Sequence, residues 1–174
     1  MNVSLDLVTS VLILGILVTI VFSTNIILMD GSVENRVTQQ QQVLANNGIQ
    51  IIEEEVKYLI AIEFAEDSTL RFIERESPIS DSVLVEITKN GTDLNVTRSP
   101  FYSSSQTTQN YRLKLERIAF DEIVHGTGSA PFLRVEMLTV SSTDEQIDEG
   151  SRFYGAASRD IYLKNLHINE LFSN

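Results

Sequence analysis

Leu7–Met29, LVTSVLILGILVTIVFSTNIILM, is the stretch on which the reading of this chain turns. It carries no charged residue and is bracketed by Asp6 and Asp30. As a helix rising about 1.5 Å per residue it reaches roughly 34 Å, enough to cross a hydrocarbon core. Leu, Ile, Val and Phe fill about two thirds of it. At roughly 0.3 to 0.6 kcal/mol each they outweigh the cost of inserting Thr9, Ser10, Thr19, Ser23, Thr24 and Asn25. A cleaved signal peptide would show a basic start and a shorter apolar run, whereas no Lys or Arg precedes Arg36. A membrane-length helix is therefore expected, with a small N-terminal flank inside and the bulk of the chain outside.

The rest of the composition narrows the possible partners. A chain of 174 residues has room for one ordinary domain beside this appendage. Its 24 Asp+Glu against 13 Lys+Arg leave a net charge of -11, which speaks against nucleic acid, since phosphate binding needs clustered cations. There is no cysteine, so there can be no disulfide framework, thiolate metal site or Cys nucleophile. Stability must come from packing or assembly.

Beyond Asp30 the apolar residues Val33, Val37, Leu44, Ile51, Ile52, Val56, Leu59 and Ile60 recur at helical spacings. Gln39, Gln40, Gln42, Asn46, Gln50, Glu53 and Glu54 fall on the other side. The pattern predicts one helix continuing to about Ala65, apolar all round over 1–30 and amphipathic over 31–66. Gly31 and the Asn46-Asn47-Gly48 trio are its soft spots. The Gln39–Gln42 run and Glu53-Glu54-Glu55 read as solvated surface, because consecutive helical positions diverge by about 100° and cannot converge on one ion.

From residue 67 to residue 174 the period becomes two. Leu70/Phe72, Val83/Val85/Ile87, Leu94/Val96, Leu113/Leu115, Leu133/Val135/Met137 and Ile161/Leu163 alternate with polar partners. Asn90-Gly91 marks a hairpin, with a type I′ turn expected. Ser99–Asn110 and Ser141–Arg159 read as polar loops. Five to seven short strands can enclose a core only if something covers one face, and the helix stripe is the available cover. The fold class is α+β, a long N-terminal helix packed on an antiparallel sheet head.

That architecture resembles the type IV pilins, including the minor pilins and the pseudopilins of type II secretion. QQQQVLANNGIQIIEEEVKYLI (residues 39–60) resembles the second half of the family's helix. VLVEITKNGTDLNVTRS (residues 83–99) is similar to its strand-turn-strand unit ending in an Arg, here Arg98, and DIYLKNLHI (residues 160–168) to a closing strand. The family's basic leader, the Gly before its cleavage point and its aromatic first mature residue have no counterpart among these residues. Its acid at mature position five has one in Asp6, if Met1 is removed. The resemblance implies a structural subunit of an extracellular filament at the cell surface, reached through the inner membrane as a single-pass precursor. Its assembly contacts would be Asp6, Leu7, Leu14, Gly15, Leu17, Val21 and Phe22, with the helices of identical copies as partners and pilus or secretion machinery assisting. Two alternatives stand beside it: a minor pilin or pseudopilin of such a machine, and a single-pass anchored extracytoplasmic binding domain.

Chemistry is thinly represented. His125 and His167 belong to no recognisable motif, and HExxH, GxSxG, Walker A and GxGxxG patterns are all missing from the sequence. Catalysis and a cofactor are not expected. Asp144, Glu145, Asp148 and Glu149 read as an acidic loop without EF-hand spacing. Tyr102, Tyr111, Phe153 and Tyr154 are candidates for an exposed aromatic surface, and Asn90-Gly91-Thr92 and Asn95-Val96-Thr97 fit the N-glycosylation pattern.

Overall fold

Helix α1 spans Val3–Glu55 and ends in a single 3-10 turn, Val56–Tyr58. The computed structural model describes residues 3–77, 80–102, 105–123, 130–142 and 152–172, with side chains from residue 9 to residue 168. Among the described residues eight strands follow: β1 (Leu59–Glu66), β2 (Thr69–Glu74), β3 (Val83–Asn90), β4 (Asp93–Pro100), β5 (Thr107–Arg112), β6 (Leu115–Ile123), β7 (Phe132–Val140) and β8 (Tyr154–Tyr162). Helix α2 (Lys164–Phe172) closes the order. The chain divides into two compact units, Met1–Val37 and Thr38–Asn174.

The α+β class is as expected. The helix, however, stops ten residues short of Ala65, because Leu59–Glu66 pairs with β2 along its whole length. The segment is rich in β-branched and aromatic residues, Ile60, Ile62 and Phe64, and cross-strand pairing overrides a helical reading of its spacing. The turn between β1 and β2 is tight: Glu66 pairs with Thr69, and Asp67 takes a positive φ of 48°.

The second unit holds two antiparallel sheets instead of one. The first is a meander in the order β1-β2-β3-β4-β5, the second is β6-β7-β8. Between them lie Leu70, Phe72, Val85, Ile87, Leu94, Val96, Leu115, Leu133, Val135 and Met137, the alternating residues read from the sequence, together with Ile49, Ile52 and Val56 from the helical segment. The sheets are also tied at the edge of β6, whose Leu115 N–H donates to Thr92 O at 2.7 Å and whose Phe120 N–H donates to Asp67 O at 2.9 Å. Those two carbonyls belong to the β3–β4 and β1–β2 turns, so two of the first sheet's hairpin turns bond the second.

In the β3–β4 hairpin Asn90 pairs with Asp93, which makes Gly91-Thr92 the turn. Only Gly91 has a positive φ there, 61°, so the turn has the glycine-first character of type II′ and not the expected I′. Two polar stretches read as loops contain strand: β4 runs on through Ser99 and Pro100, and Thr107–Asn110 opens β5. Likewise β8 begins at Tyr154, and the expected closing strand at residues 160–168 ends at Tyr162, with His167 placed on α2.

Residues 38–55 of α1 bury Gln41, Ala45, Ile49, Ile52, Glu55 and, just beyond, Val56. This stripe is rotated from the expected one: Leu44 and Ile51 are only half-buried, and Val43 is exposed. The cause is the close approach of β8. A Cβ built on Gly155 would lie 2.2 Å from the Gln41 carbonyl carbon, so helix backbone rests directly on strand backbone. Thr139 Oγ1 donates to Gln41 O at 2.9 Å, and Gln42 Nε2 donates to Ala156 O at 2.7 Å. Gln41, read as solvated with the rest of its run, is therefore buried.

This contact yields a stability prediction. Gly155→Ala is expected to cost about 1–3 kcal/mol, because the obstacle is main chain that no rotamer change can move aside. At Gly48 the new Cβ would meet the Met137 thioether at 2.2 Å and Leu113 Cδ1 at 3.0 Å, side-chain atoms that must shift within the core but belong to flexible residues. Replacing a helical glycine by alanine there recovers about 1 kcal/mol of helix propensity. Thermal unfolding should therefore show a clear fall in Tm for Gly155→Ala and a smaller change for Gly48→Ala.

Candidate functional site

The first unit, taken by itself, is a helical segment whose apolar residues face solvent on every side. Among its large apolar side chains from Val11 to Met29, the least exposed is Val18 at 47% and the most exposed Ile27 at 70%. None of the most hydropathic window of this helix is buried, and the helix is long and apolar enough to cross a membrane. A solvated apolar stripe on one face is common; a solvated apolar circumference is not.

The expected assembly residues divide by face. Leu14, Leu17 and Val21, spaced three and four apart, share one side of α1, and Gly15 and Phe22, seven apart, share the adjacent side. The four large residues are all exposed, and the space beside Gly15 is open, with nothing but its chain neighbours and the helix's own backbone within 4 Å of a Cβ built there. Asp6 and Leu7 belong to α1, and their side chains lie outside the described set. Two of the segment's threonines are satisfied locally: Thr19 Oγ1 donates to Gly15 O and Thr24 Oγ1 to Ile20 O, each at 2.8 Å. Such back-bonding lets hydroxyls sit in an apolar surrounding without an outside partner.

The second unit carries a polar cluster around Glu55, a residue expected from the sequence at the surface with the rest of its Glu53–Glu55 run. Glu55 is 9% exposed; the Arg98 guanidinium bonds its Oε2, and Tyr111 OH donates to its Oε1 at 3.3 Å. Arg98 Nε also donates to Glu74 Oε1 at 3.3 Å, and Arg98 Nη1 to Gln109 Oε1 at 3.2 Å. One guanidinium thus joins the end of α1 to β2, β4 and β5. The signal was present in the helical phase, since Glu55 lies three residues after Ile52 and one before Val56. Glu53, by contrast, pairs with Arg159 at the surface, and Glu54 with Lys57.

Burial raises the Glu74 carboxyl above its ordinary 4.5, with the Arg98 charge opposing. The Tyr111 hydroxyl is raised above 10.0, first by burial and then by the Glu55 charge. The folded state therefore holds the Glu74 proton more tightly than the unfolded chain does. Its contribution to stability is complete below 4.5 and is lost as pH rises through the raised value. As pH rises from 4.5, chemical denaturation should show the native chain losing stability relative to Glu74→Gln, which lacks this group.

Among the described residues no group of three or more His, Cys, Asp or Glu side chains could hold a metal ion. His167 lies against Tyr162, ring centroids 6.2 Å apart. His125 and the acids Asp144, Glu145, Asp148 and Glu149 lie outside the described residues. The four aromatic candidates do not form one surface: Tyr102 is 85% exposed and Tyr154 is exposed, Phe153 is half-buried, and Tyr111 is engaged with Glu55. Of the two sequons, Asn90 is exposed beside the hairpin turn, whereas Asn95 lies within β4 and accepts from Asn110 Nδ2 at 2.8 Å. No family model, curated protein or solved structure matches this chain.

Proposed function

We propose that this chain is a structural subunit of an extracellular filament of the type IV pilus kind, assembled through its N-terminal apolar helix. The observation that carries the reading is the apolar circumference of the first unit. Burying one large apolar side chain is worth about 1.5–3 kcal/mol, so a segment bearing them on all faces favours lipid or a bundle of its own kind over water. The membrane holds the precursor, and the helices of neighbouring copies replace the lipid on assembly. Close approach is easiest beside Gly15 and Ser10, where side chains are small. Repeated head-to-tail contacts that do not close on themselves generate a helical fibre, with the acidic heads outside and mutually soluble.

The charge-free length of Leu7–Met29 also suits a permanent anchor, the observation behind the two other readings. Material sheared from cells separates them. Abundant fibres composed of this chain support the structural subunit; trace amounts confined to fibre tips favour a minor or initiating component. Complete retention in detergent micelles, with no sheared fibre, favours an anchored binding domain and overturns the proposal.

A further inference from the structure

The four edge strands of the head are treated unequally. β1 carries two register breaks, between Leu59 and Ala61 and between Ile62 and Phe64, and α2 packs beside it. β6 is bonded by the carbonyls of Thr92 and Asp67, and β8 lies under α1 with its Ala156 carbonyl taken by Gln42. β5 has none of these devices. It pairs with β4 through six consecutive positions without a bulge, contains no proline, and is exposed at every position but Tyr111. Among the described residues β4 is its only strand neighbour. An unprotected edge of this kind presents a row of backbone donors and acceptors to any extended strand.

Charge identifies which strand it accepts. Every strand except β5 contains at least one Asp or Glu. In a chain of net charge -11, the bare edge is thus the place where two copies can meet without opposing carboxylates. We infer that β5 is a homotypic docking edge, pairing antiparallel with β5 of a second copy and continuing the five-stranded sheet across a two-fold axis. The axis must pass through one residue, because strands related in this way keep their faces and pair positions of equal parity. Centred on Gln109, the pairing sets Arg112 opposite Gln106; centred on Asn110, it sets Arg112 opposite Thr108. Neither register opposes like charges, and Thr, Gln and Asn side chains line both. The inference stands on the head alone and does not require the filament reading.

The natural chain has no cysteine, so a single introduced thiol reports its own surroundings. Full-length protein in detergent, carrying Thr108→Cys, Gln109→Cys or Asn110→Cys in turn, is treated with a mild oxidant. A disulfide-linked dimer is expected from the residue at the axis and none from Ser158→Cys, an exposed position on β8. Adding Leu14→Lys and Leu17→Lys should leave the dimer in place, which separates strand pairing from helix association. Adding Gln106→Lys with Thr108→Lys to the Gln109→Cys or Asn110→Cys chain opposes a lysine to Arg112 in either register and should remove the dimer. An unchanged unfolding transition of the head would show that the lysines did not act by unfolding it. Failure of all three positions to cross-link, equal cross-linking at Ser158, or a dimer that survives the lysines overturns the inference.

Discussion

Leu14→Lys together with Leu17→Lys is expected to abolish fibres while leaving the unfolding transition of the head unchanged. Both side chains lie on one side of α1 and are exposed in the single chain, so neither contributes to the core of the second unit. A lysine near the centre of an apolar helix costs about 2.5–3.5 kcal/mol on insertion scales, and the pair about 5–7 kcal/mol if the two act independently. Since about 1.4 kcal/mol is a factor of ten, assembly should fall by more than a thousandfold. Long side chains escape part of such costs by snorkelling to an interface. That escape is closed in a bundle surrounded by identical helices. The control is Leu14→Ile with Leu17→Ile, which preserves volume and hydropathy and should retain fibres. Yield of sheared fibre and thermal unfolding of the same preparations together check the prediction; fibres of normal yield from the lysine variant would remove the dry helical core from the proposal.

The second large effect lies in the head. Arg98→Ala should destabilise it by about 1.5–3 kcal/mol, the range for hydrogen bonds to charged groups, since Glu55 is buried but Arg98 is part-exposed. The size follows from what remains: Glu55 at 9% exposure and the poorly exposed Glu74 would face each other without the cation between them. Glu55→Gln should cost less, because the amide keeps an acceptor for Tyr111 and Arg98 retains Glu74. Replacing Glu55 and Arg98 together by Leu and Met should be milder than the sum of the single losses, giving a favourable coupling in a double-mutant cycle. Urea denaturation at neutral pH measures the native chain, Arg98→Ala and Glu55→Gln, and the singles Glu55→Leu and Arg98→Met beside their double variant close the cycle. A loss below about 1 kcal/mol for Arg98→Ala would place the cluster among ordinary surface ion pairs.

Much of this architecture is legible in the residue pattern, and where it is not the reasons are physical. The apolar run before Asp30 and the alternation through Val85, Ile87, Leu94, Val96, Leu133 and Val135 read correctly, because burial on one face imposes a period. β5 was hidden because Thr107–Arg112 buries almost nothing, and an edge strand held by backbone bonds leaves no apolar period to detect. The start of β8 was hidden for a related reason: Gly155-Ala156-Ala157 is small so that α1 can approach, and small residues look like a loop. The end of α1 was misplaced because Leu59, Ile60 and Ile62 suit a helix stripe and a strand equally, and only the distant partner β2 decides. The exposed apolar helix before Asp30 was legible from composition alone. The Glu55–Arg98 cluster required knowing which way one glutamate turns.

The ties between residues 38–55 and the sheets have a mechanical consequence. Gln41 and Gln42 are held by β7 and β8, Glu53 by Arg159 of β8, and Glu55 by Arg98 of β4. Tension applied along α1 reaches both sheets at once and strains these bonds in parallel, as a lap joint does, so they cannot be peeled apart one after another. Extracting the rod from its head demands that they rupture nearly together, the arrangement in which weak bonds resist force best.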